Sequence, residues 1–108
     1  MKAKGVVARA RAEQDVNDAL DFYLGQASQK VALGFIDALE RAYRLIGERS
    51  EIGATRYAYG LDLPGLRSWP LRDYPYVVFY FPRDDHIDVW RVLHASREIP
   101  AWMTGDGA

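Results

Sequence analysis

Cysteine is absent from the 108 residues. Disulfide staples and thiolate metal sites are therefore excluded, and nothing demands an oxidising compartment. Histidine is almost as scarce: His86 and His94 are the only two, too few for a structural zinc site. No hydrophobic run approaches the roughly 20 residues that a membrane-spanning helix needs. The basic start, Met1-Lys2-Ala3-Lys4, leads into no apolar stretch of signal-peptide length. An excess of one charge is missing too. There are 14 basic and 15 acidic residues; the first 54 positions carry 8 of each sign and the rest carry 6 and 7. Proteins that work on polyanions usually recruit them with a basic surplus, so the composition gives direct nucleic-acid binding no support. These absences favour a cytoplasmic protein that needs no metal, cofactor or membrane.

What is present is ordinary for a folded domain. Hydrophobic residues make up 49% and charged residues 27%, and a chain of this size buries roughly two-thirds of its unfolded surface. One domain is expected over residues 1–103, with a frayed polar tail over 104–108. Val6 and Val7 anchor a short first strand over Gly5 to Arg9. From Ala12 the period becomes helical: Val16, Ala19, Leu20 and Tyr23 share one stripe. Glu13, Asp15, Asp18 and Asp21 read as a solvated acidic face, and Gly25 reads as the stop. Ser28 suits the N-cap of a second helix. Its stripe holds Ala32, Phe35, Ile36, Leu39, Ala42, Tyr43 and Ile46, so the two helices form an antiparallel hairpin.

Glu48 to Leu66 reads as a long irregular stretch rich in Gly and Tyr. Three strands follow: Arg67 to Leu71, where Pro70 marks an edge or a bulge, then Tyr74 to Phe81 and Ile87 to His94, joined by a turn over Pro82 to His86. The order predicts an α+β fold, with a helical hairpin on one face of a mainly antiparallel twisted sheet of about four strands. Alternation on the last strand sets Ile87, Val89, Arg91 and Leu93 against Asp88, Trp90, Val92 and His94. On the strand before it, Val77, Phe79 and Phe81 oppose Tyr76, Val78 and Tyr80. Both faces are thus largely apolar. Either both are buried within the domain, or another chain completes one of them.

Arg67, Arg91, His94 and Arg97 are the set suited to acid–base and phosphate chemistry, histidine because it titrates near neutrality. Their structural alternative is plain: His94 caps a strand end, and Arg91 or Arg97 pairs with an acid such as Asp88 or Glu98. Tyr57, Tyr59, Tyr74 and Tyr76 are of a type that stacks on bases, or else core aromatics.

Several pieces, in order, resemble the ParE branch of the ParE/RelE toxin superfamily. They are Ala12-Glu13-Gln14-Asp15-Val16 with Tyr23; Ala32, Phe35, Ile36 and Leu39; Ile52-Gly53 leading to Gly65-Leu66-Arg67; Tyr76-Val77-Val78-Phe79-Tyr80; and Val92 to Pro100, ending His94-Ala95-Ser96-Arg97-Glu98-Ile99-Pro100. The resemblance implies the toxin of a type II toxin–antitoxin module. It implies neutralisation by a ParD-like antitoxin and, for the ParE type, a block of DNA replication by binding DNA gyrase. RelE-type relatives instead cut mRNA on the ribosome, typically with an arginine in the Tyr-x-x-x-Tyr strand and a tyrosine near the C-terminus. Here Val77 stands where that arginine is expected, and the exit reads Ile99-Pro100-Ala101-Trp102. A binding toxin with no catalytic residues is therefore favoured. The alternative is the ribosome-dependent nuclease, with Arg67, Arg91, His94 and Arg97 as its site. Target contact is assigned to Arg91, His94, Arg97, Glu98 and Trp102. Antitoxin contact is assigned to Leu20, Tyr23, Phe35, Leu39, Tyr43, Tyr76, Tyr80 and Trp90, the helical stripe being shared between core and partner.

Overall fold

A computed structural model describes residues 3–99; the tail 104–108 lies outside them. The chain forms β1 (Gly5–Ala8), α1 (Ala10–Gln26), α2 (Gln29–Glu48), α3 (Arg56–Leu61), β2 (Arg67–Pro70), β3 (Tyr76–Pro82) and β4 (His86–His94). Ser28 does cap α2, its hydroxyl accepting from the Val31 N–H at 3.1 Å. Gly25 does not stop α1, which runs to Gln26. The sheet order is β1-β4-β3-β2. β1 lies parallel to β4, while the other two pairings are antiparallel.

The helical hairpin covers one sheet face. Ala12, Ala19, Phe35, Leu39, Ala42 and Ile46 pack there on Val78, Tyr80, Ile87, Val89 and Val92. Fully burying each large apolar side chain contributes about 1.5–3 kcal/mol. The opposite face is not left open. α3 and the segment after it lay Tyr57 and Leu66 over Phe79, Phe81 and Leu93. This helix falls inside the stretch expected to be irregular. At six residues it is too short to show a helical period, and it includes Gly60. Asp62, in the left-handed region at φ 54, ends it by donating its N–H to the Ala58 and Tyr59 carbonyls.

β3 and β4 do not keep a single alternation. Phe79 pairs with Arg91 but Tyr80 with Val89, leaving Trp90 as the extra residue of a β-bulge. Beyond it the faces change over: Val92 joins the helix-facing core with Val89, whereas Leu93 packs under α3. The uniform two-sided reading of Ile87 to His94 is corrected accordingly.

Gly53 and Gly34 are among the glycines set by close approach. Gly53 donates its N–H to the Tyr80 hydroxyl at 2.9 Å, and a Cβ there would sit 2.6 Å from that oxygen. On α2, a Cβ at Gly34 would overlap the hydroxyl of Tyr74, which donates to the Val31 carbonyl at 2.8 Å. Tyr74 belongs to an aromatic cluster with Tyr23, Phe35 and Tyr76. Alanine in a helix interior normally gains about 1 kcal/mol over glycine. Here crowding and a lost hydrogen bond reverse the sign. Gly34→Ala is expected to cost about 1–2 kcal/mol in urea unfolding. The same change in a Tyr74→Phe background is expected to be neutral or stabilising, since the overlapping oxygen is gone. An equal cost in both backgrounds would contradict the assignment.

Candidate functional site: the last strand and its exit turn

β1 stops early and β4 does not. The Arg9 N–H gives the Val89 carbonyl its bond at 3.0 Å, and the chain then turns into α1. The edge of β4 beyond Val89 therefore has no strand beside it. Asp15, on the second turn of α1, takes that place. Its Oδ2 accepts from the Val92 N–H at 3.0 Å, and its two oxygens hold Arg91 Nε and Nη2 at 2.7 and 2.9 Å. Asp15 is 7% exposed. It is a buried acid, not part of a solvated face, and Arg91 pairs with it rather than with Asp88. The side-chain bond from Asp15 is the main reason the Arg91 guanidinium is held even more firmly protonated.

Asp88 has other partners. Arg9 contacts both its oxygens at 2.9 and 2.8 Å, and Arg83 reaches it at 2.9 Å. These bonds, Arg9 first, pull its carboxyl down to about 2.

The strand ends in a self-capped turn. His94 donates its backbone N–H to Glu98 Oε1 at 2.8 Å, and Glu98 returns its N–H to the His94 carbonyl at 3.0 Å. The imidazole Nδ1 lies 3.2 Å from the N–H groups of both Ser96 and Arg97. Two donors aimed at Nδ1 assign the ring proton to Nε2. The ring meets Tyr76 edge-on, with centroids 5.1 Å apart. Burial, then the Arg97 charge, lower the His94 pKa, with Glu98 opposing them. Arg97 itself lies 4.7 Å over the ring of Phe22 on α1. Beside it, His94, Tyr23, Tyr74 and Pro75 line an open cleft of about 600 Å³.

The structure brings Arg91, His94, Arg97 and Glu98 to one end of the sheet. Trp102 lies outside the described residues. Arg67 is elsewhere, on β2 opposite Tyr80, with Nη1 given to the Glu51 and Gly53 carbonyls at 2.8 Å each. Its backbone is four residues along and two strands across from His94, roughly 16 Å away. Arg67 and Tyr80 together pin the 50–53 segment, since the Tyr80 hydroxyl also donates to the Ser50 carbonyl at 3.0 Å. Among the residues assigned to antitoxin contact, Phe35, Leu39, Tyr76 and Tyr80 are buried within the chain itself. Leu20, Tyr23, Tyr43 and Trp90 are partly exposed. Of the tyrosines suited to stacking on bases, Tyr57 and Tyr76 are buried, Tyr74 is half-buried and Tyr59 stands out in solvent. The sequence reading missed Asp15 and Phe22. The helical stripe shows neither, because both act across the sheet edge rather than into the core.

Two outcomes follow. Asp15→Ala strands Arg91 and leaves the Val92 N–H unpaired, so it is expected to cost about 2–4 kcal/mol in urea unfolding. A change below 1 kcal/mol would contradict the bridge. For His94, the folded state prefers the neutral ring. Its contribution is complete above the ordinary value of 6.5 and is lost as the pH falls from there through the lower folded value. Unfolding free energy is expected to decline over that window in the wild type and to decline less in His94→Gln. Parallel profiles would refute the capping role.

Among the described residues, no helix is long and apolar enough to cross a membrane. No curated protein matches the chain. A solved structure described as the chromosomal ParDE TA system from P. aeruginosa is similar, with a TM-score of 0.72 and 17% identity; the match covers 87% of this chain and 98% of that one. At that identity the likeness speaks for the fold. The family is shown by sequence: the profile of the ParE toxin of the type II toxin–antitoxin system parDE matches residues 6–99. The chain, with its hairpin-covered sheet and self-capped exit, belongs to that family of ParE toxins.

Proposed function

We propose that this toxin acts by contact, without chemistry of its own: freed from a ParD-like antitoxin, it binds DNA gyrase and blocks replication. The observation that carries the reading is the state of three of the four groups a nuclease would use; the fourth, Arg97, stands exposed on the exit turn. Arg67 is spent on two backbone carbonyls at the far edge of the sheet. Arg91 is locked in a two-bond pair with Asp15. The Nδ1 of His94 is occupied by its own turn. Cleavage by 2′-hydroxyl attack needs a base, an acid and cations converging on one phosphate, and this arrangement supplies no such convergence.

The exit turn is the target-facing part of the proposal. Arg97 and Glu98 are exposed, on a rigid support of backbone bonds and the Tyr76 ring. The antitoxin is assigned to the surface of the hairpin and sheet. Leu20, Tyr23, Tyr43 and Trp90 offer partly exposed apolar area there, and Phe22, Leu24 and Leu33 add exposed area where the helices meet. An antitoxin segment that folds on contact suits a partner whose removal must release the toxin.

The test is to induce the chain alone and follow labelled thymidine and methionine incorporation over the first minutes. Early loss of DNA synthesis while translation continues is expected. Early loss of translation, with codon-phased mRNA cuts, would replace this reading with the RelE-like one. Arg97→Ala is expected to keep the fold and lose toxicity; full toxicity in a folded variant would remove the exit turn from the target surface.

A further inference from the structure

The hairpin does not fill the whole of the sheet face it covers. On α2, Ala38, Arg41, Ala42 and Leu45 follow the helical period and line one side of a recess whose other side is β2. The two alanines are buried but short, so a space of about 460 Å³ opens between them and Trp69. Trp69 packs on the helix-side core and stays half-buried, and Pro70 follows it along the wall. The interior of the recess is therefore apolar, and its charge comes from Arg41 and Arg72. Both arginines are exposed. The ion pairs among the described residues use Arg9, Arg83, His86 and Arg91; Arg41 and Arg72 take part in none of them.

The surroundings narrow what the recess takes. Ser68 exchanges both backbone bonds with Ala54 at 2.9 Å, so the next outward-facing backbone position on β2 is Pro70. Pro70 has no N–H, and the Leu71 N–H is already given to the Tyr76 carbonyl at 2.9 Å. An extended partner cannot continue the ladder there. Eight residues line the recess, against roughly 20–30 a side in a stable protein interface. A second copy seated on it about a two-fold axis would bring the exposed arginines of both chains together. A small ligand meets none of these objections. Pockets for such ligands span about 300–1,000 Å³ and are mostly apolar, with a few polar groups that set orientation.

We propose that the recess between α2 and β2 binds a small amphiphilic anion, an unbranched acyl chain ending in a carboxylate, taken up free from solution. The chain lies along Ala38, Ala42 and Trp69, and the carboxylate meets Arg41 and Arg72. Guanidinium forks match the two oxygens of a carboxylate, and each such bond is charge-assisted. Removal of the acyl chain from water drives the binding, and the arginines fix which end faces out. The recess lies beside β2, two strands away from the exit turn on β4. The proposal therefore stands independently of what the toxin's target is.

The experiment is an NMR titration of the full chain with sodium decanoate, followed at the Trp69 indole N–H and the Ala38 and Ala42 amides. Saturable shifts confined to the residues around the recess are expected. Butanoate, whose chain is six methylenes shorter, is expected to bind at least 100-fold more weakly. Decanol, with the same chain and no charge, is expected to lose about tenfold. The double variant Arg41→Gln and Arg72→Gln changes two exposed side chains, so it is expected to keep the folded spectrum and weaken decanoate about tenfold. Equal affinity in the double variant, or for decanol, would overturn the role of the arginines and with it the proposal. No saturable shift at Trp69, or shifts spread over the exposed Phe22 and Leu33 as well, would overturn it too. Shifts with vesicles of anionic phospholipid but none with free decanoate would assign the recess to a membrane surface and overturn the free ligand.

Discussion

One carboxylate settles how the two ends of this molecule fit together. β1 ends at Ala8 and β4 continues to His94, so the far end of β4 would present unpaired backbone groups beside a helix. Asp15 meets that need from α1, bonding the Val92 N–H and gripping Arg91 with both oxygens. A buried acid is costly unless fully engaged, and here three bonds engage it. The same three bonds fix α1 against the last strand. That in turn sets Phe22 under Arg97 and the exit turn at the end of the sheet.

The bulge at Trp90 adds to this. By changing the face of every residue after it, it lets Val92 enter the helix-side core while Leu93 enters the cluster under α3. The strand thereby buries apolar side chains on both sides and still delivers Arg91 to Asp15. The exit turn inherits a rigid base, tied to the Pro75 carbonyl by the Ala95 N–H at 2.8 Å and braced by the Tyr76 ring. Surface residues on such a base, Arg97 and Glu98, lose little further freedom on meeting a partner. That is what a toxin working through contact requires.

The sequence carried the four strands, the hairpin and its cap at Ser28, because helical and strand periods and N-cap chemistry are local signals. It did not carry α3, whose six residues are too few for a period. Nor did it carry the bulge, since Val89-Trp90-Arg91-Val92 alternates as a plain strand would. Asp15 looked like one acid among four on α1; only the mismatch in length between β1 and β4, a non-local fact, makes it the buried one. Among the candidate site residues, His94, Arg97 and Glu98 were legible from the terminal motif, and Arg91 from its place on the strand leading into it. Arg67 was grouped with them by charge alone, and the sheet order then carried it to the other edge. Phe35 and Tyr80 were aromatic and on the right stripes, but burial, which the stripes cannot apportion, placed them in the core.

The central claim is that the toxin works by holding its target. A supercoiling assay with purified gyrase and the purified chain tests it most directly. The account predicts that supercoiling stops as the chain is added, that it is spared when the antitoxin is added first, and that RNA in the same tube stays intact. Full supercoiling at saturating toxin, with ribosome-bound mRNA cut in a parallel reaction, would contradict it.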